Sequence, residues 1–139
     1  MENHPSRVVA LHHVALPVVD LGRARRFYGE VLGLEEIHRP AAFDFPGAWF
    51  ALGEGQLHLI ERSGGTLREG KALDSRDVHF AIRVVDYDAM LAHLRSHGYR
   101  EDAALDDPTR IKANRKPNAG FPQIFVMDPD RHVIEINVA

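Results

Sequence analysis

The side chains with the clearest chemical potential are three histidines and one glutamate that stand at repeated positions of the sequence. Residues 13–20 (HVALPVVD) and 79–86 (HFAIRVVD) are identical at five of eight positions, and both begin with a histidine. Further along each half, His58 and Glu135 interrupt an apolar stretch in the same way. Imidazole and carboxylate groups are common ligands of divalent transition metals. The repeat therefore predicts one metal site made of His13, His58, His79 and Glu135.

The neighbours of His58 and Glu135 indicate which way these two side chains point. Leucines flank His58 and isoleucines flank Glu135, and the side chains of a strand alternate between its two faces. The apolar neighbours are expected to pack toward the helices, which leaves His58 and Glu135 on the face that the sheet encloses. A carboxylate at a strand centre is costly to bury without a partner. Any one histidine alone is better explained as an ordinary strand residue, so the metal hypothesis depends on the repeat.

The elements that must position these residues repeat as well. Asp20 and Asp86 follow the first strand of each half, and aspartate is a good helix N-cap. A helical pattern follows each aspartate and stops at a glycine, Gly33 or Gly98. Three more strands then follow in each half, and the last two form a hairpin. These strands are predicted at 35–38, 49–52 and 56–61 in the first half, and at about 99–103, 123–127 and 132–137 in the second.

This order of elements predicts an α+β fold with a single domain, residues 1–139, made of two tandem β-α-β-β-β modules. Module one covers about 8–62, a polar connector covers 63–76, and module two covers about 77–139. The eight strands are expected to form a curved mixed sheet around the metal site, with the helices outside. Residues 106–120 have no clear periodicity and predict a long loop, either a functional lid or a mobile surface loop.

The composition excludes several other functions. The chain of 139 residues has no cysteine, so disulfides, thiolate metal sites and a cysteine nucleophile are impossible. A formal net charge of -3 and the lack of a basic stripe argue against nucleic acid as a partner. The apolar runs are too short to span a bilayer, and the first residues lack the apolar core of a signal peptide. We therefore expect a cytoplasmic protein, with no membrane partner, that binds a small molecule.

Short motifs in both modules resemble those of one family, the vicinal-oxygen-chelate superfamily, which includes glyoxalase I, type I extradiol dioxygenases, fosfomycin-resistance proteins and bleomycin-binding proteins. The resemblance covers nearly the whole chain. It implies one divalent metal (Zn, Ni, Co, Mn or Fe) held by His13, His58, His79 and Glu135. It also implies a homodimer, and the sequence leaves open whether the modules pair within one chain or between two. The motifs that carry it are HHVAL at 12–16, D at 20 with ARRFY at 24–28, VLGL at 31–34, VHFA at 78–81, DPD at 128–130 and IE at 134–135.

The resemblance implies a metal that acts as a Lewis acid on two neighbouring substrate oxygens and stabilises an enediolate, with Glu135 as both ligand and catalytic base. This is the lyase or isomerase chemistry of glyoxalase I, and methylglyoxal–thiol adducts are the first substrates to try. Two alternatives stay open: an extradiol-type dioxygenase that uses Fe(II), and a non-catalytic protein that sequesters a drug or metabolite. His58 stands where glyoxalase I often has Glu or Gln, which weakens the glyoxalase assignment. As a fourth protein ligand, His58 would also occupy a coordination position on Fe(II) that the dioxygenase reaction requires, which weakens the dioxygenase alternative.

Four aromatic residues and one arginine are candidates for the substrate pocket. Phe43, Phe45, Trp49 and Phe121 are expected in its wall, and Arg115, in the long loop, is expected to bind an anionic substrate. The alternative for the aromatic residues is an ordinary place in the core. The alternative for the arginine is a solvated surface charge.

Overall fold

The structure, a computed structural model, describes residues 5–116 and 118–139 and contains two β-α-β-β-β modules in tandem. In both modules the first strand leads into a helix, and the helix into three further strands. The α+β fold class and the module order are therefore confirmed. Module one consists of β1 (His13–Val18), α1 (Leu21–Arg26) continued by a π-helical turn (Phe27–Val31), β2 (Glu36–Ile37), β3 (Gly47–Leu52) and β4 (Gly55–Glu61). Module two consists of β5 (His79–Arg83), α2 (Tyr87–Ser96), β6 (Lys112–Asn114), β7 (Gln123–Met127) and β8 (Val133–Asn137).

The eight strands are divided between two four-stranded mixed sheets, one for each module. The strand order is β1-β4-β3-β2 in the first sheet and β5-β8-β7-β6 in the second. In each sheet the first and last strands of the module pair in parallel, and the other neighbours pair antiparallel. Within the described residues no strand pairing joins the two sheets. The expected eight strands are thus present, and one chain arranges them as two separate sheets.

One strand of module two lies away from its predicted position. We expected it at about 99–103, but there Arg100 makes only an isolated bridge to Arg110, and the regular strand β6 forms at Lys112–Asn114. It lies inside the segment predicted as a long loop. The prediction of a strand at 99–103 is therefore wrong, because pairing with β7, rather than local sequence, determines where β6 forms.

The helices begin and end where the sequence predicts. The Asp20 carboxylate accepts a hydrogen bond from the Arg23 amide at 2.9 Å, and the Asp86 carboxylate accepts one from the Ala89 amide at 3.0 Å. Gly98, just after α2, has a left-handed φ of 90°, a conformation that glycine adopts without strain. Both modules therefore use the same local signals to turn the chain from the first strand into a helix.

A shared hydrophobic core holds the two modules together within a chain. The leucines beside His58 and the isoleucines beside Glu135 are all buried in it, as their alternation predicts. Tyr28, fully buried in the π-helical turn of module one, donates a 2.6 Å hydrogen bond to the Asp128 carboxylate in module two. His58 and Glu135 lie on the opposite faces of the sheets and are not part of this core.

The connector packs on the face of the second sheet that carries Glu135. Leu73 contacts a small cluster formed by Phe125, Met127 and Val133. Arg68 is buried there and donates to the Arg131 carbonyl at 3.0 Å and to the Asp77 carboxylate at 2.7 Å. As a result β8 is buried on both faces, whereas the equivalent face of the first sheet is more open. In the part of the chain that is described, no helix is long and apolar enough to cross a membrane.

Candidate metal centre

The first pair of predicted ligands, His13 and His58, lies on the adjacent parallel strands β1 and β4. His13 is the register partner of Gln56, and His58 is the register partner of Ala15, so the two histidines are diagonal neighbours on one face. Their rings stack with centroids 4.1 Å apart. The other side of the His58 ring stacks on Trp49, at 4.0 Å with an interplanar angle of 4°. Ala15, the register partner of His58, is exposed.

The surroundings of His58 favour its neutral form, which is the form that binds a metal. Burial lowers its pKa below the ordinary value of 6.5, and the positive charges of His13, His12 and Arg39 lower it further. The His58 Nε2 atom lies 2.8 Å from Gln56 Oε1. His12 Nδ1 lies 2.9 Å from His13 Nδ1, so one of these two rings donates to the other.

The second pair, His79 and Glu135, occupies the same diagonal in module two. His79 is the register partner of Val133, and Glu135 is the register partner of Ala81. An alanine therefore lies opposite the second predicted ligand in both modules. His79 Nε2 is 3.5 Å from Glu135 Oε1. The repeat seen in the sequence thus corresponds to the same geometry in the two sheets.

Polar neighbours hold both members of the second pair in place. Gln123 donates to Glu135 Oε1 at 3.1 Å, and Asn137 donates to Oε2 at 2.7 Å, so both oxygens of the buried carboxylate are engaged. Arg83 Nε donates to Asn137 Oδ1 at 2.8 Å and so orients this amide. His79 Nδ1 is 2.8 Å from the Asp77 carbonyl, which leaves Nε2 as the nitrogen directed toward Glu135.

Sequence reasoning did not find Gln56, Gln123, Asn137 and Arg83, although a signal was present. Arg83 is four residues from His79 and Asn137 is two residues from Glu135, and an even spacing along a strand places side chains on one face. A search for polar residues at even spacing from each predicted ligand would have found both. Gln123 follows from the hairpin, because it is the register partner of Asn137.

The two pairs remain apart within one chain. Among residues 5–116 and 118–139, no group of three or more histidine, aspartate or glutamate side chains stands together as a metal site. Each pair supplies nitrogen or oxygen donors of the kind that Zn²⁺, Ni²⁺, Co²⁺, Mn²⁺ or Fe²⁺ accepts, but two donors do not complete a coordination shell. The donor chemistry of the residues fits such a metal, and neither pair alone supplies enough donors to hold it.

Of the five predicted pocket residues, Trp49 contacts a predicted ligand directly, and three others are linked to a pair through intervening side chains. The ring of Phe43 lies 5.9 Å from Trp49 and 5.3 Å from Phe45. Phe121 lies under the Arg83 guanidinium, 5.1 Å from its central carbon, and Arg83 in turn donates to Asn137 beside Glu135. Arg115 lies elsewhere: it pairs with the Asp88 carboxylate and covers the Tyr87 ring, both on α2.

A cleft of about 410 Å³ opens between the two modules, in the size range of small-molecule pockets. Leucines form much of its wall. His13 lines it, but His58, His79 and Glu135 do not. Its polar lining comes from His12, His13 and Gln56 on one side and Arg83 on the other. The cleft thus reaches only one of the four predicted ligands.

Comparison with known proteins gives a family match over most of the chain. Residues 10–136 match the model of the Glyoxalase/Bleomycin resistance protein/Dioxygenase superfamily. The chain is also 28% identical over 101 residues to the uncharacterized protein YaeR of Escherichia coli strain K12. The aligned region covers 70% of this chain and 78% of YaeR. The match to the family model begins before His13 and ends after Glu135, so it includes both ligand pairs.

Solved structures show the same fold at low sequence identity. A protein from Bacillus anthracis described as belonging to the glyoxalase family superposes with a TM-score of 0.75 at 21% identity, covering 97% of this chain and 98% of its own. The fosfomycin resistance protein FosX from Listeria monocytogenes superposes with a TM-score of 0.70 at 18% identity, covering 95% and 94%. At these identities the likeness concerns the fold.

Proposed function

Because the chain belongs to the Glyoxalase/Bleomycin resistance protein/Dioxygenase superfamily, we propose that it is a divalent-metal-dependent lyase or isomerase of the glyoxalase I type. The observation that carries the proposal is the matched geometry of the two pairs, His13 with His58 and His79 with Glu135, on the same strand diagonal of two modules. Four donors at such matched positions are the ligand set of one site.

We further propose that two chains form each site, with His13 and His58 from one chain and His79 and Glu135 from its partner. Within one chain the pairs stay separate, and a symmetric dimer offers each pair the complementary one. Apolar residues next to both pairs support this arrangement. Leu11 is 77% exposed and lies two residues before His13, and Val78 is 71% exposed and directly precedes His79. A partner chain would bury both.

When bound, the metal would polarise two neighbouring substrate oxygens and stabilise the negative charge that develops on them. Glu135 is the group that takes the proton from the adjacent carbon. Asn137, oriented by Arg83, donates to Oε2 at 2.7 Å, and Gln123 donates to Oε1 at 3.1 Å, so both oxygens are held in place. Oε1, which has the longer of these two hydrogen bonds, faces His79. His58, kept neutral by burial, acts as a ligand and not as an acid. Trp49 covers one face of the His58 ring, and Phe43 packs against Trp49.

Elemental analysis combined with turnover tests this function. We expect one divalent metal per chain, and conversion of the methylglyoxal–thiol hemithioacetal without oxygen uptake. His13→Ala and Glu135→Ala should each lose most of the metal, whereas His38→Ala, an exposed histidine outside both pairs, should keep it. Full metal retention in both ligand variants would refute the site.

The same measurements separate the alternatives. Oxygen consumption on catechols by the Fe(II)-loaded protein would identify an extradiol-type dioxygenase. Tight binding of a drug without any turnover would identify a sequestering protein. The partly exposed rings of Phe43 and Phe45, beside Trp49, are the feature that suits this last possibility, since aromatic rings pack well against flat molecules.

A further inference from the structure

The guanidinium of Arg39 is fixed on the same face of the first sheet as His58. Its central carbon lies 4.4 Å from the Phe43 ring centroid and 5.0 Å from that of Phe45, and Nη2 donates to the Phe45 carbonyl at 2.8 Å. A Cβ atom at Gly47 would come within 2.9 Å of Arg39 Nε, so the guanidinium lies directly on the backbone of β3. Gly47 and Trp49 are two residues apart and share a face, the one on which Trp49 stacks on His58.

This guanidinium has no acidic partner. No carboxylate of the described residues lies within 4.0 Å of Arg39, whereas Arg25, Arg68, Arg95 and Arg115 each have one. Arginine presents five N–H donors in a planar fork, and among the described residues a single hydrogen bond, to the Phe45 carbonyl, uses them.

We propose that Arg39 binds an oxyanion of the substrate, a carboxylate or a phosphate, while Trp49 and Phe43 cover the adjoining part of the molecule. The inference rests on the proposed function for the place of the metal, and it names the class of substrate: a small anionic compound. A planar fork matches two oxygens of a carboxylate or phosphate. Because the two phenylalanine rings and the carbonyl already hold the guanidinium in place, little side-chain freedom is lost on binding.

Titration with benzoate, phenylphosphonate and the neutral benzamide tests the inference. Trp49 is the only tryptophan of the chain, so its fluorescence reports on this position. The titrations use the full chain with a chelator present, so that binding does not depend on the metal. Arg39→Met removes the charge but keeps apolar contact with Phe43 and Phe45. Arg26→Met, in the exposed part of α1, is the matched control.

We expect at least one of the two anions to bind about tenfold more tightly than benzamide, the gain of a charge-assisted hydrogen bond at a partly exposed site. The tighter of the two identifies the oxyanion. Arg39→Met should reduce its affinity to that of benzamide, and Arg26→Met should leave it unchanged. Equal binding of anions and benzamide, no binding of either anion, or equal weakening of anions and benzamide in Arg39→Met would overturn the inference. The result is independent of the metal analysis. Anion selectivity in a protein that holds no metal by elemental analysis without chelator would refute the proposed function alone, and one metal per chain without anion selectivity would refute the role of Arg39 alone.

Discussion

At the scale of single residues, the buried carboxylate of Glu135 is the most demanding group of the candidate site. A buried charge is tolerated only when hydrogen bonds replace the water it loses. Gln123 and Asn137 supply one donor to each oxygen, and Arg83 supports Asn137 from the next strand. These neighbours are therefore positioning residues for the proposed ligand and base.

Replacing Asn137 by leucine removes the donor to Glu135 Oε2 while keeping a similar volume. We expect metal affinity to fall about 10- to 100-fold, as is common when a partner of a ligand is lost. Competition with a chromogenic chelator measures this affinity. Asn118→Leu, on an exposed turn, is the control and should bind like the wild type. Unchanged affinity in Asn137→Leu would show that Asn137 does not position the ligand.

The lowered pKa of His58 predicts a pH dependence of stability in the metal-free protein. A histidine whose pKa is lower in the folded state than in the unfolded state binds fewer protons when folded. The contribution of His58 to the free energy of unfolding is therefore complete above the ordinary histidine pKa of 6.5, and it is lost as the pH falls below that value. The free energy of unfolding in urea, measured with a chelator present, should decline less below pH 6.5 in His58→Gln than in the wild type. His38→Gln should follow the wild type, and parallel curves for all three proteins would refute the assignment.

At the scale of elements, the sequence predicted what local signals encode. The aspartate N-caps, the glycine after α2 and the apolar alternation around His58 and Glu135 are all found in the structure. The position of β6 was not predictable, because a three-residue edge strand of sequence KAN has little signal of its own and forms where β7 offers it partners. The pairs themselves follow from the repeat, but their separation in one chain depends on how the modules pack, which local patterns do not encode.

The contact between the π-helical turn and the β7–β8 hairpin gives a prediction about stability. Tyr28→Phe leaves Asp128 Oδ2 buried without the tyrosine donor, and we expect a loss of about 1–3 kcal/mol in the free energy of unfolding. Urea denaturation at neutral pH measures the loss. Tyr99→Phe is the control, since among the described residues its hydroxyl makes no hydrogen bond. Equal stability of Tyr28→Phe and the wild type would show that this bond does not hold the modules together.

At the scale of the whole molecule, two half-sites on one chain favour a symmetric dimer with two metal sites. In the proposed dimer, a twofold axis places the first pair of each chain against the second pair of its partner, so that two equivalent sites form. The exposed apolar residues Val8, Val9, Leu11 and Val78 lie beside the edge strands β1 and β5 and suit burial by a partner. The shared core keeps the modules of one chain in a fixed relation, which supports the proposed site between chains over one formed by rearrangement of a single chain.

Mixing two defective variants tests this account most directly. His58→Ala damages the first pair and Glu135→Ala the second, and each variant alone should retain little metal. After the two are refolded together in equal amounts, random pairing makes half of the dimers mixed, and each mixed dimer has one intact site. The mixture should therefore regain about a quarter of the wild-type metal content, measured by elemental analysis of the purified protein. A mixture that holds no more metal than the separate variants would contradict a site shared between two chains.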